Sequence, residues 1–188
     1  LSALIAALRP LGAGAVGIEP LGCILFLSAR VCGASFGFLL GMISMFVSAL
    51  LTGGIGPWLG YQVFAAAWIG LFAGALPKTL RGGRELMMLI IYAIFASAAF
   101  GILMDLQFWP WALGSSTQLS YLPNGDISEN VSRFITFHFA TSMAWDIPRA
   151  IFTSALIAFA GKAVLSALRR TRTRAAFLQP IIFNEHVK

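Results

Sequence analysis

The chain has 188 residues, 59% of them hydrophobic and only 11% charged, with a mean hydropathy of +0.84. Soluble domains carry about 25% charged residues, so this composition excludes an ordinary water-soluble globule and points to a membrane protein. The formal charge of +6 does not indicate nucleic acid, because Lys78, Arg81 and Arg84, then Arg169, Arg170, Arg172 and Arg174, cluster at the ends of apolar segments, where basic residues report topology.

A spanning helix needs roughly 20 apolar residues. The length therefore predicts an all-α polytopic protein, a six-transmembrane-helix bundle whose first helix is truncated at its N-terminus, since Leu1 already lies inside an apolar run. Those first residues do not read as a signal peptide. Residues 1–170 are expected to form one membrane-embedded domain and residues 171–188 a basic cytoplasmic tail.

Segment one ends at Leu8-Arg9-Pro10, and the Gly-rich stretch from Gly12 to Gly17, closed by Glu19 and Pro20, reads as a loop. Segment two covers Leu21 to Cys32 and segment three Gly33 to Leu51. Gly33, Gly37 and Gly41 recur every four residues, with Ser48 and Thr52 near the same face, a small-residue stripe of the kind along which helices approach closely in lipid. The turn Thr52-Gly53-Gly54-Ile55-Gly56-Pro57-Trp58 leads into segment four, Trp58 to Leu76, where Gly70 and Gly74 form a second small pair. Segment five runs from Glu85 to about Phe108, followed by a polar loop through Asn130. The pattern from Val131 to Leu168 is too long for one simple span, and Pro148 disfavours helical geometry at Ile147. It reads as a short helix to about Ala144, then segment six from Asp146 to Leu168. Cys23 and Cys32, nine residues apart, resemble neither a metal site nor a redox pair.

The basic loop after segment four and the basic C-terminal end are separated by an even number of spans, and both are assigned to the cytoplasm. The loops after segments one, three and five then face outward, placing Trp58, Trp109, Trp111 and Trp145 at outward ends and Trp68 near mid-membrane. Each ring is either an interfacial anchor or part of a stacking wall for a flat ligand. Gln62, Asp105, Gln107, Asp146 and Arg149 lie at the same depth. Charges there cost roughly 2.5 to 3.5 kcal/mol on insertion scales, so they are expected to face a bundle interior or a wet cavity. Asp146 and Arg149, three apart, also fit a plain ion pair. His138 precedes them at helical spacing with Thr141, Ser142 and Trp145, and Arg9 has no local partner, which marks it for an anionic substrate group. The candidate binding set is thus Arg9, Trp58, Gln62, Asp105, Trp109, His138, Trp145, Asp146 and Arg149.

The sequence contains no Gly-x-Ser-x-Gly, no His-Glu-x-x-His and no Gly-x-x-x-x-Gly-Lys-Ser/Thr. It designates no catalytic residue, no metal ligand and no cofactor, and any uphill transport would draw its energy from a partner or an ion gradient.

Gly37-Phe38-x-x-Gly41, Ser48 and Gly54-Ile55-Gly56-Pro57-Trp58-x-x-Tyr61-Gln62-x-x-Ala65-x-x-Trp68-x-Gly70-x-x-x-Gly74 resemble the membrane substrate-binding subunits of energy-coupling factor (ECF) transporters, most of all actinobacterial-type members. The similarity extends from Leu1 to about Arg170. It implies a multi-pass protein of the bacterial plasma membrane that binds a vitamin or related micronutrient from outside. It also implies partners, a transmembrane coupling subunit and two cytoplasmic ATPases that topple the subunit in the lipid bilayer. Ala3 and Ala7 match the family's Ala-x-x-x-Ala surface for the coupling subunit. Two other readings stay open: a small intramembrane enzyme using His138 with Asp146 or Asp105, and a ligand-free structural subunit.

Overall fold

The computed structural model describes residues 1–8, 20–112 and 117–174. Seven helices follow one another there: α1 (Ser2–Leu8), α2 (Leu21–Cys32), α3 (Ala34–Thr52), α4 (Leu59–Ala75), α5 (Gly83–Ala112), α6 (Ile127–Thr141) and α7 (Met143–Arg174). Among the described residues, α3, α5 and α7 are long and apolar enough to cross a membrane, while α2 and α4 are shorter apolar helices. Exposed Phe72, Phe95, Ile151 and Phe159 project from these helices, an arrangement that water penalises and hydrocarbon does not.

α2 is the central post. Nine of its 12 residues are buried, and it touches α3, α4, α5 and α7. Leu25 and Leu27 of α2 meet Met45, Leu89 and Ile157 in the core. At 12 residues the helix is only about 18 Å long.

The small-residue stripe of α3 is its seam with α4. A Cβ on Gly37 would collide with the carbonyl oxygen of Gly70, one on Gly70 with that of Gly37, one on Gly41 with that of Ala66, and one on Gly74 with the Gly33–Ala34 backbone. The two backbones therefore touch at three successive levels, which only glycine permits. Gly53 ends α3 in the left-handed conformation, φ 65°, a helix stop that glycine adopts without strain. Gly56 then lets the Trp58 indole fold back across the turn, because a Cβ there would lie 2.5 Å from the ring.

Three boundaries differ from the sequence expectation. α5 continues past Phe108 to Ala112 with Pro110 in its last turn, where a proline removes only one backbone bond. α6 starts at Ile127 rather than Val131, behind an extended Asp126, with Asn130 anchored to the Leu122 N–H and C=O at 2.9 and 3.0 Å. The break before α7 falls at Ser142 rather than between Ala144 and Asp146, and Pro148 sits inside α7 with Ile147 helical. Ser142 caps α6 through its N–H to His138 and accepts from the Trp145 and Asp146 N–H groups, so one residue serves both helices.

At the basic end, Arg30 is buried. Its Nε donates to Glu85 Oε1 at 2.8 Å, and its terminal nitrogens donate to Leu76 O and Leu80 O at 3.0 and 3.3 Å. Arg169 donates to the same Glu85 oxygen at 2.6 Å. One carboxylate thus ties α2, α5 and α7 together.

Candidate functional site

At the opposite end, α4, α5, α6 and α7 surround an open cavity of about 460 Å³. The α3–α4 turn and first turn of α4 supply Trp58 and Gln62. α5 supplies Phe100, Gly101, Met104, Asp105, Gln107 and Phe108, one side of a continuous helix at three- and four-residue spacing. Phe137 and Thr141 of α6, Ser142, and Trp145, Asp146 and Arg149 of α7 complete the wall. The lining is mostly apolar with a few converging polar groups, the usual make-up of a small-molecule site.

Those polar groups form two linked clusters. Asp105 accepts from Ser142 Oγ at 2.6 Å and from His138 Nδ1 at 2.6 Å. With the Nδ1 proton spent on the carboxylate, His138 Nε2 faces Asp146 Oδ2 at 4.0 Å. Asp146 Oδ1 accepts from Arg149 Nη1 at 2.8 Å, and the Arg149 guanidinium lies 4.8 Å from the Phe100 ring centroid, a cation–π contact.

Asp146 is 4% exposed, and its Oδ2 has no hydrogen-bond partner. A buried carboxylate oxygen without a donor is costly. It lies against α5 only because residue 101 is glycine, since a Cβ there would overlap the Asp146 carboxylate. The Gln62 and Gln107 amides likewise make no hydrogen bond among the described residues. The cavity therefore presents unused acceptors and donors, and its one guanidinium is paired through Nη1 alone, its buried Nε making no hydrogen bond among the described residues.

Of the residues singled out from sequence, Trp58, Gln62, Asp105, Trp145, Asp146 and Arg149 line this cavity. His138, 7% exposed, sits behind Asp105 and holds it without lining the cavity. Trp109 is also outside the lining. It is buried, donates Nε1–H to Leu119 O at 2.7 Å and packs edge-on against Tyr121 and Phe134, pinning the segment before α6 to α5. Arg9 lies outside the described residues. Trp68 is a lipid-side ring between Phe64 and Phe72, four residues away on either side. Gly101 and Phe100 were not singled out from sequence, and the available signal was a glycine one turn before an aspartate in an otherwise apolar helix.

Ser142 and His138 both converge on Asp105 rather than on each other, so the serine hydroxyl has no imidazole base. Among the described residues no group of three or more His, Cys, Asp or Glu is placed to hold a metal ion. No family model, curated protein or solved structure matches the chain.

Proposed function

We propose that this chain is the membrane substrate-binding subunit of an energy-coupling factor type ABC importer, a six-span protein of the bacterial plasma membrane without catalytic activity of its own. It takes a vitamin or related micronutrient from the outer side and hands it on through a coupling subunit and two ATPases. The observation that carries the reading is the open cavity of about 460 Å³ with its unpartnered Asp146 oxygen, a volume within the roughly 300–1,000 Å³ of ligand pockets. Trp58 and Gln62, from the segment that resembles the family, stand on its wall. Ala3 and Ala7 are exposed on one side of α1 while Ile5 and Ala6 are buried, which suits a small-residue docking face.

The pairing of Arg149 with Asp146 argues for a neutral or cationic ligand rather than the anionic one that Arg9 suggests in sequence. Asp105, Asp146 and Arg149 together leave an excess of acceptor charge. A flat heteroaromatic ring between Trp58 and Trp145 whose amino or ammonium group reaches Asp146 Oδ2 satisfies both wall and floor.

The test is mass spectrometry of the small molecule that co-purifies, followed by tryptophan-fluorescence titration with a vitamin panel. Saturable quenching by one flat, donor-bearing vitamin, lost in Asp146→Asn, is expected. Absence of any retained molecule together with a flat response to the whole panel overturns the reading. The enzyme alternative rests on the His138–Asp105 contact; it requires His138→Gln to abolish a turnover, whereas in a binding subunit that variant weakens affinity without abolishing it.

A further inference from the structure

A second cavity, of about 270 Å³, opens at the basic end, between the ends of α2 and α7 and the α4–α5 turn. Its charged lining is Arg30, Lys78, Arg81, Arg169 and Arg172. Arg30 and Arg169 share the single carboxylate of Glu85, which offsets one of their two charges, and Arg172 donates Nη1–H to Val31 O. Lys78 and Arg81 are exposed and make no hydrogen bond or ion pair among the described residues. Lys78, Arg81 and Arg172 thus face one pocket with no carboxylate opposite them.

Like charges are not gathered around a concavity without cost, and here the gathering is held rigidly. The Arg30 guanidinium pins the α4–α5 turn through Leu76 O and Leu80 O, which sets Lys78 and Arg81 on the rim. We infer that this pocket binds the phosphate of an anionic phospholipid. α5 and α7, two of the helices apolar enough to cross a membrane, meet beside the pocket through Glu85 and Arg169. It therefore opens at the level where a bilayer presents headgroups, and basic pockets between spanning helices take anionic headgroups. A lipid is concentrated there by its own tails, whereas free phosphate or an acidic peptide must arrive from water. The inference does not depend on the identity of the ligand at the other end.

The test is native mass spectrometry of the full chain in detergent with equimolar phosphatidylglycerol and phosphatidylcholine, repeated with millimolar inorganic phosphate added to the lipids. Preferential retention of phosphatidylglycerol is expected, reduced about fivefold per charge removed in Lys78→Gln and Arg81→Gln and restored in Lys78→Arg. These variants leave the Glu85 cluster intact, and unchanged helical circular dichroism confirms the fold. Equal retention of the two lipids, or wild-type preference in the double variant, overturns the inference. So does displacement of the lipid by millimolar inorganic phosphate, which would make the pocket a site for the free anion.

Discussion

Gly101 and Asp146 show how one missing methyl group shapes a site. The Asp146 carboxylate occupies the space of a residue-101 Cβ, so Gly101→Ala must push it away from α5. Overpacking of this kind costs about 1–3 kcal/mol. Ligand affinity is expected to fall at least as far as stability, read by titration and by thermal unfolding in the same detergent. Asp105 is the neighbouring hinge of the network, since Ser142 and His138 both depend on it. Asp105→Ala leaves two donors unsatisfied, at about 1–3 kcal/mol for the buried His138 and less for the half-buried Ser142, whereas Asp105→Asn keeps an acceptor and is expected to retain most of the stability. Equal melting temperatures for the two variants would refute the role of Asp105 as shared acceptor. Glu85, 1% exposed, carries the heaviest burden at the other end. Glu85→Ala strands the buried Arg30 and frees Arg169, and removing one partner of a buried pair costs about 3–5 kcal/mol. Loss of the folded protein from membranes, with Lys162→Ala as an exposed control, is the expected outcome.

At the scale of helices, α3 and α4 are held by backbone contact rather than by interlocking side chains. Gly37 and Gly70 oppose each other so closely that either Cβ meets the partner's carbonyl. Gly37→Leu therefore separates the helices along their whole seam, and with them the turn that carries Trp58 and Gln62. Both thermal stability and ligand binding should fail together in that variant, while Gly60→Ala, where a Cβ meets nothing within 4 Å, should change neither. The stripe was legible in sequence because four-residue spacing keeps glycines on one face of a helix. Its partner surface on α4 was legible only in part: Gly70 and Gly74 stood out, while Ala66, the third level, did not.

For the molecule as a whole, the separation of the two ends makes sidedness testable. With Cys23 and Cys32 replaced by serine, a single cysteine in Asn124→Cys, before α6, should react with an impermeant thiol reagent from outside intact cells. One in Lys78→Cys, on the α4–α5 turn, should react only after permeabilisation. Labelling of both from the same side would break the assignment of the Trp-bearing end to the exterior and the basic end to the cytoplasm.

Membrane residence, an all-helical fold and the glycine stripe of α3 were determined by the sequence alone, because hydropathy and helical periodicity are local properties that every residue carries. The tertiary structure decided the rest. It placed the α6–α7 break at Ser142, whose backbone N–H and C=O serve two helices at once while its hydroxyl donates to Asp105 of α5. It placed Trp109 outside the cavity lining in a packing contact, paired Arg30 with Glu85 55 residues away, and tied Arg149 Nη1 to Asp146 Oδ1, leaving Asp146 Oδ2 and Arg149 Nε without hydrogen bonds. Each of these depends on a partner distant in sequence or on which way a side chain turns, and such pairings exist only once the helices have packed.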